Sequence, residues 1–321
     1  MPSIDMPLKE LKKYKGINPK PADFDAYWER ALKELDSLDF QTELIPSEFK
    51  TDHSECFDLY FTGAGGSRIH VRYARPAGAN GETKNPAVLR FHGYTGESPC
   101  WNELMQWTAA GFSVFALDSR GQGGLSEDRG GVAGTTWRGQ IIRGLSDSPE
   151  KLLFRQIFLD TAALARIAFS RPEVDETRVG ALGGSQGGAL TIACAALEPR
   201  IKRIAPEFPF LCDYKRVWEM DLGGDAYSEL QYFFKKFDPL HEREQEIFET
   251  LGYIDLQFLA PRIKAEVLLG CGLMDEICPP SSQFAMYNKL KAPREVLIYP
   301  DFGHEDIRDF NEKSYLFMMG L

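Results

Sequence analysis

The chain contains few of the residues that build disulfide scaffolds or metal sites. Its 321 residues include six cysteines and five histidines. None of the cysteines forms a Cys-x-x-Cys pair, and no His-x-His or His-Glu-x-x-His pattern occurs, so a zinc site is not indicated. The sequence therefore predicts reduced thiols, no metal and no cofactor.

Long apolar runs are absent and positive charge is in the minority. No stretch of about 18 apolar residues occurs, which excludes a membrane-spanning helix. The lysines of the first 20 residues are not followed by an apolar run, so we predict no signal peptide and a cytoplasmic location. Lysine and arginine total 37 against 47 acidic residues, a formal net charge of −10. This balance disfavours nucleic acid as a partner, and we expect no membrane partner either.

The chain does contain a series of short apolar runs that each end in Gly, Asp or His. Such runs are typical of strands buried on both faces, as in a parallel sheet with helices on either side. The sequence therefore predicts an α/β fold with a doubly wound, mostly parallel sheet. The runs are PAVLRFHG, GFSVFALD, RVGALGGS, AEVLLGCGLMD and EVLIYPDFGH.

The spacing of apolar residues also predicts helices and one hairpin. Residues 21–38 place aromatic and aliphatic side chains at helical spacing, which indicates an amphipathic helix that covers the core. Residues 151–169 and 186–197 are predicted to be helices, the second built from small residues. Residues 56–76 alternate apolar and polar side chains around glycines, a pattern typical of an antiparallel hairpin.

Ser185 is the strongest candidate for a catalytic residue. It lies in Gly183-Gly184-Ser185-Gln186-Gly187, directly after a strand-like run and directly before the small-residue helix. A serine on a strand-to-helix turn is held in a strained conformation that exposes its hydroxyl, as in the nucleophile elbow of α/β-hydrolases. The alternative is a plain glycine-rich turn.

A serine hydroxyl needs a base and an orienting acid, which follow it in chain order in this fold. His304 follows the last strand-like run and is the predicted base. Asp275 ends the preceding run and is the predicted acid, with Glu276 beside it as the rival. Three signals in the order Ser, Asp, His, each at the end of its own strand, favour a catalytic triad.

Two backbone N–H groups should bind the oxyanion. The first candidate is the amide of Gln186, after the serine. The second is the amide of Tyr94, in the loop that follows the strand-like run PAVLR, although an ordinary turn remains an alternative. His92 in the same loop is expected to be structural.

The loop 118–124 resembles a phosphate-binding loop only superficially. It lacks the Gly-Lys-Ser/Thr ending, and no acidic residue follows a second strand at the dinucleotide-binding spacing. We therefore expect no nucleotide, and expect Arg120 and Gln122 to hold the site loops by buried hydrogen bonds.

These features predict a single α/β-hydrolase domain over residues 1–321. Residues 1–50 form its N-terminal helical extension. Residues 212–260 are rich in aromatic and charged residues and lack a buried-strand run, so we predict a helical cap inserted over the carboxyl edge of the sheet. Peripheral helices without substrate contact remain the alternative for this insertion.

Three motifs together are similar to one known family. Arg120-Gly121-Gln122, Gly183-x-Ser185-Gln186-Gly187 and His304-Glu305 resemble the signature of the acetyl xylan esterase and cephalosporin C deacetylase family, carbohydrate esterase family seven. The resemblance extends over the whole chain, from the segment DFDAYWERAL to the insertion. It implies a triad of Ser185, Asp275 and His304, with oxyanion donors from Gln186 and Tyr94.

The resemblance also implies a substrate and an assembly. The substrates would be small acetylated sugars such as xylo-oligosaccharides, and cephalosporin C. The assembly would be a homohexamer whose active sites face an inner cavity that excludes polymers. Tyr94, Pro209 and Phe210 are the candidates for substrate binding, as an acyl pocket and sugar platform.

Other classes of protein with this fold are alternatives to the esterase hypothesis. A short-chain carboxylesterase or a peptidase-like hydrolase of the same fold would share the triad, although the peptidases normally carry a propeller domain that this chain is too short to hold. A dehalogenase or epoxide hydrolase would need aspartate at position 185. A non-catalytic binding protein of this fold usually lacks a triad member.

Overall fold

The computed structural model of the chain describes residues 4–132, 140–222 and 224–321. Within these ranges, nine strands form one sheet in the order β1-β2-β3-β5-β4-β6-β7-β8-β9. The strands are β1 (Glu43–Pro46), β2 (Ser54–Thr62), β3 (Arg68–Pro76), β4 (Asn85–Phe91), β5 (Ser113–Leu117), β6 (Val174–Gly184), β7 (Arg203–Glu207), β8 (Glu266–Gly272) and β9 (Arg294–Tyr299).

The sheet joins an antiparallel edge to a parallel majority. Strands β1, β2 and β3 pair antiparallel, and β3 pairs antiparallel with β5. From β5 through β9 every neighbouring pair is parallel. The five apolar runs coincide with β4, β5, β6, β8 and β9, so the predicted α/β fold with a mostly parallel sheet is confirmed.

Strand β7 was not predicted from the sequence. It is five residues long and contains Pro206, which cannot donate a hydrogen bond to a neighbouring strand. The strand forms between β6 and β8, where both neighbours supply partners along its length. Its place in the sheet is therefore due to its neighbours rather than to its own composition.

Helices cover both faces of the sheet. They are α1 (Leu8–Leu11), α2 (Phe24–Asp36), α3 (Trp101–Ala109), α4 (Leu153–Ser170), α5 (Gln186–Leu197), α6 (Tyr214–Met220), α7 (Gly224–Phe237), α8 (Glu244–Gly252), α9 (Leu256–Leu259), α10 (Pro280–Tyr287) and α11 (Arg308–Met319). The predicted helices over 21–38, 151–169 and 186–197 correspond to α2, α4 and α5 and are confirmed, as is the hairpin, which β2 and β3 form.

Successive residues of one strand enter different hydrophobic cores. On β4, Leu89 belongs to the core shared with α4 and α5, whereas Val88 belongs to the core shared with α3 and α11. Because side chains alternate across a strand, both faces of the central strands must be apolar. This explains why the sequence shows continuous apolar runs instead of alternation.

The first 50 residues and the segment 212–260 are in contact. Residues 1–50 include the strand β1 besides α1 and α2, and the segment 212–260 forms α6 to α9 between β7 and β8. Asp213 accepts hydrogen bonds from the Tyr14 hydroxyl at 2.8 Å and from the Asn18 backbone N–H at 2.8 Å. Trp28 of α2 donates its indole N–H to the Tyr253 carbonyl at 2.9 Å.

Across the described parts of the chain, every helix is too short or too polar to cross a membrane.

Candidate active site

Ser185 lies at the junction of β6 and α5. Its φ of 56° and ψ of −118° lie far from helix and strand values, a strained conformation for a residue with a side chain. The Ser185 N–H donates to the Glu207 carbonyl at 3.0 Å, and the Ser185 carbonyl accepts from the Phe210 N–H at 3.1 Å. Strand β7 and the residues after it therefore hold the strained turn from one side.

The glycines around Ser185 are required by a close approach of β4. A Cβ atom on Gly187 would lie 2.1 Å from the carbonyl oxygen of Phe91, and one on Gly183 would lie 2.5 Å from the same oxygen. Backbone of β4 therefore occupies the space that a side chain would need. This contact explains the glycine pattern that marked the motif in the sequence.

The structure brings Ser185, His304 and Asp275 together. The Ser185 Oγ lies 3.0 Å from the His304 Nε2, and the His304 Nδ1 lies 3.0 Å from the Asp275 Oδ2. This is a continuous hydrogen-bond chain in which the Nδ1–H donates to the carboxylate and Nε2 accepts from the hydroxyl. Glu276, the rival acid, is exposed.

Asp275 is fully buried and fixed by backbone groups. Its Oδ1 accepts the N–H of Ile277 at 2.9 Å and the N–H of Cys278 at 2.8 Å. The His304 ring packs against Phe208, with ring centroids 4.6 Å apart, and 22% of its side chain remains exposed. The carboxylate is thus held in a dry environment while the base keeps access to solvent.

Two backbone N–H groups belong to segments that meet beside Ser185, where the Gln186 side chain contacts the His92 and Gly93 carbonyls. The Gln186 amide opens α5, and the Tyr94 amide lies in the loop after β4. Neither N–H donates to another protein group among the described residues. These are the two amides that the sequence predicts as oxyanion donors.

Side-chain amides join the two loops that carry these N–H groups. Gln122 donates to the Gln186 side-chain oxygen at 2.8 Å, and Gln186 donates back to the Gln122 oxygen at 3.0 Å. The same Gln122 oxygen accepts the backbone N–H of Thr95 at 3.0 Å. Gln122 thus links the Tyr94 loop to the start of α5, in agreement with the role expected for it.

His92 is held by backbone groups through both ring nitrogens. Its Nε2 accepts the Ser119 N–H at 2.9 Å, and its Nδ1 lies 2.7 Å from the Gly93 carbonyl. Burial lowers the pKa of His92, which favours the neutral ring. These contacts agree with a structural role beneath the site.

The three residues predicted to bind substrate occupy different environments. Tyr94 is half-buried, whereas Pro209 and Phe210 are buried. Phe210 packs edge-on against both Tyr94, with centroids 5.4 Å apart, and Tyr227, with centroids 4.7 Å apart. Pro209 lies against Gly188 at the start of α5.

Three potential metal-ligand atoms lie within 4.8 Å of one another, on Asp275, Cys278 and His304. The Asp275 and His304 atoms hydrogen-bond to each other. Burial beside Asp275 raises the pKa of the Cys278 thiol, so the thiol keeps its proton. This donor set suits a hydrogen-bonded triad better than a cation, which needs a thiolate.

The sequence did not indicate Glu229, which lies on α7 and is 3% exposed. One carboxylate oxygen accepts the Tyr94 hydroxyl, and the other accepts the N–H groups of Gln140 and Ile141, both at 2.8 Å. Burial raises the pKa of Glu229 to about 7. No local pattern around position 229 signals this contact, because its partners are 135 and 89 residues away in the chain.

Glu207 is a second buried carboxylate near Ser185. Among the described residues its Oε1 has no hydrogen-bond partner. Burial, with a smaller contribution from the Asp306 carboxylate, raises the pKa of Glu207 from 4.5 to about 8. The folded protein therefore binds a proton at Glu207 over a pH range in which the unfolded chain has already lost it.

The free energy of unfolding is expected to fall as pH rises from about 4.5 through about 8, because ionisation of Glu207 favours the unfolded chain in this range. Glu207→Gln cannot ionise, so its unfolding free energy should decline less and should exceed that of the wild type at pH 9. Urea denaturation at pH 5, 7 and 9, at one protein concentration, measures this. Exposed Glu312→Gln is the control, and parallel curves for wild type and Glu207→Gln would contradict the prediction.

The sheet topology and the elbow at Ser185 define the class of protein as an α/β-hydrolase. The comparison with family models is more specific, since residues 1–321 match the model described as acetyl xylan esterase (AXE1). The chain belongs to the acetyl xylan esterase family.

Individual relatives agree with this assignment. The crystal structure of acetyl xylan esterase 1 from Thermoanaerobacterium sp. JW/SL YS485 is 54% identical, with a TM-score of 0.96 over 98% of this chain and 99% of that chain. The structure of an acetyl xylan esterase from Paenibacillus sp. R4 is 35% identical, with a TM-score of 0.92 and the same coverage of 98% and 99%. Axe7A, an acetyl esterase of Xylanibacter ruminicola, is 26% identical over 98% of this chain and 73% of its own length.

Proposed function

We propose that the protein is a serine carboxylesterase that removes acetyl groups from small acetylated sugars, such as xylo-oligosaccharides, and from cephalosporin C. The observation that carries the proposal is the hydrogen-bond chain Asp275–His304–Ser185 at the strained turn. Family membership adds the acetyl specificity, because relatives along the full chain are named acetyl xylan esterases.

In the acylation step, Ser185 Oγ attacks the acetyl carbonyl carbon while His304 Nε2 takes the hydroxyl proton. The tetrahedral oxyanion receives the N–H groups of Gln186 and Tyr94. His304 then gives the proton to the sugar oxygen, the C–O bond breaks, and the deacetylated sugar leaves an acetyl-enzyme. Asp275 keeps the His304 Nδ1 protonated and stabilises the imidazolium.

In the deacylation step, His304 takes a proton from a water molecule whose oxygen attacks the acetyl-enzyme. The same two N–H groups stabilise the second oxyanion. Collapse of this intermediate releases acetate, and the proton returns to Ser185 Oγ. The partial exposure of His304 gives water a route to the base.

The acyl pocket is proposed to include Phe210. Its backbone N–H contacts the Ser185 carbonyl, and its buried ring packs against Tyr94. Because the Phe210 backbone is bound to the nucleophile turn, its ring is proposed to limit the pocket to a short acyl group. We therefore expect acetyl esters to be preferred over esters of four to eight carbons.

Phe210→Leu tests the pocket with a moderate change of volume. We expect the ratio of kcat/KM for butyryl over acetyl esters to rise by about 10-fold, since a methylene in an apolar pocket changes discrimination by roughly this factor. Hydrolysis of a matched series of acyl esters measures the ratio. An unchanged ratio in a folded variant would place the acyl group elsewhere.

The substrate is tested by acetate release from acetylated xylobiose and from cephalosporin C beside the acyl series. Preference for acetyl groups on the sugar supports the proposal. Hydrolysis of simple short-chain esters without a preference for acetyl groups on the sugar would instead favour a short-chain carboxylesterase, the second candidate, and preference for long acyl chains would favour a lipase-like enzyme or a thioesterase.

The assembly and location are proposed from the motif resemblance, as a cytoplasmic homohexamer whose active sites face an inner cavity. A cavity of this kind would admit oligosaccharides and exclude polymeric xylan. Light scattering coupled to size-exclusion chromatography measures the mass. A monomer that also deacetylates polymeric xylan would contradict this part of the proposal.

A further inference from the structure

The carboxylate of Glu229 lies between α7 and the loop that carries Tyr94. Glu229 is 3% exposed, and a carboxylate at this depth is costly unless hydrogen bonds compensate for the lost water. The compensation here is divided between two separate parts of the chain. One oxygen accepts the Tyr94 hydroxyl, and the other accepts the N–H groups of residues 140 to 142, at 2.8, 2.8 and 3.4 Å.

Every partner of this carboxylate is a hydrogen-bond donor. The Gln140 N–H also approaches the Tyr94 hydroxyl oxygen at 3.3 Å, so that oxygen accepts while its proton is directed to Glu229. An ionised carboxylate, which has acceptor sites on both oxygens, satisfies this set completely. An amide of the same size would present a donor to one of the two partners.

Tyr94 is thereby fixed at both ends. Its phenol is held by Glu229, its ring packs edge-on against Phe210, and the adjacent Thr95 N–H is bound by Gln122. The backbone N–H of Tyr94 lies between these anchors. Stabilisation of an oxyanion requires donors 2.7–3.1 Å from the developing charge, so a shift of about 1 Å in this loop is enough to weaken it.

We propose that Glu229 is a positioning residue that holds the Tyr94 N–H in place for the oxyanion, through its hydrogen bond to the Tyr94 phenol. The inference rests on the proposed function, in which that N–H is an oxyanion donor. It assigns part of the helical segment 212–260 a role in the chemical step. Glu229 itself touches neither the nucleophile nor the reacting atoms.

The first test compares Glu229→Gln and Tyr94→Phe with the wild type, using an activated acetyl ester. Exposed Glu249→Gln on α8 is the matched control. For both test variants kcat should fall by about 10-fold or more, with KM changed by less than about 2-fold, because the lost interaction acts in the transition state. The kcat of the double variant should be little lower than that of the more impaired single variant, because both substitutions remove the same hydrogen bond.

The second test uses two probes that need no knowledge of the sugar. Affinity for a small alkyl boronic acid, whose tetrahedral adduct with Ser185 places a hydroxyl at the oxyanion position, should fall in proportion to kcat. Reaction with a fluorophosphonate, in which Ser185 Oγ displaces fluoride and forms a P–O bond, should slow by a similar factor. A general loss of stability alone would lower the unfolding midpoint, but boronate affinity and the fluorophosphonate reaction rate would not fall in proportion to kcat.

The outcomes separate this inference from the proposed function. If Glu229→Gln and Tyr94→Phe both fold and keep wild-type kcat and boronate affinity, the positioning role is wrong while the esterase proposal stands. If the wild type reacts with the fluorophosphonate but hydrolyses no acetyl ester, the substrate proposal fails and the positioning role is still decided by the boronate and labelling data. If the losses of kcat in the two single variants add fully in the double variant, the two residues do not act through one shared hydrogen bond.

Discussion

Replacement of Ser185 by alanine is expected to lower kcat for acetate release by at least about 10⁴-fold, since removal of a triad nucleophile costs about this much or more in serine hydrolases. The residual rate would come from binding and from the N–H groups of Gln186 and Tyr94, which are proposed to bind the oxyanion. The hydroxyl is one end of the chain that passes through His304 to buried Asp275. Steady-state acetate release from acetylated xylobiose, for wild type and variant purified in parallel, measures the loss.

The fold of the Ser185→Ala variant should remain intact, because the substitution removes a single hydroxyl, whose partners are the His304 and Cys278 side chains of the site itself. Asp275→Asn is the companion variant, and it should lower kcat by about 10⁴-fold by favouring the wrong tautomer of His304. Equal thermal unfolding of all three proteins is the control. Unchanged acetate release by Ser185→Ala would overturn the triad.

The second large effect is expected at the buried ion pair between Arg120 and Asp160. Both side chains are 2% exposed, and the guanidinium binds the carboxylate through two hydrogen bonds of 2.7 Å. Arg120 also donates to the Ala64 carbonyl at 2.8 Å and to the Ser67 hydroxyl at 3.2 Å. It therefore joins the loop after β5 to α4 and to the turn between β2 and β3.

Arg120→Met should lower the free energy of unfolding by about 3–5 kcal/mol, because it leaves the Asp160 carboxylate buried without a counterion. The matched control is the double variant Arg120→Met/Asp160→Leu, which removes both charges and should recover a large part of the loss. Guanidinium denaturation at one protein concentration measures all three proteins. A double variant less stable than the single one would show that the uncompensated charge is not the cause.

The candidate triad was predictable because each member carries a local signal. Ser185 is surrounded by glycines that the backbone of β4 requires, and Asp275 and His304 follow strands with the composition of a buried parallel sheet. In such a sheet the carboxyl ends of the strands meet at one edge. The order of the three residues in the chain and their positions at strand ends were therefore sufficient to predict that they lie close together.

Other parts of the site had no such signal. Strand β7 is short and contains Pro206, yet its Glu207 carbonyl holds the Ser185 N–H. The sequence predicted a helical extension over residues 1–50, whereas this range also contains β1, which pairs with β2 at the edge of the sheet. Both strands depend on a neighbour to supply hydrogen bonds, which composition alone does not reveal.

The amino-acid sequence by itself determined the α/β architecture, the nucleophile turn and the order of the three candidate catalytic residues, because these depend on short-range patterns of burial and on glycines where the backbone is crowded. Tertiary structure placed the predicted acid Asp275, and not its rival Glu276, against His304, and it alone decided that Glu229 reaches Tyr94 from 135 residues away. The contact of Glu229 depends on which surfaces meet when α7 packs beside the loop that carries Tyr94. Hydrogen bonds to a buried carboxylate can come from any part of the chain, so no local pattern encodes them.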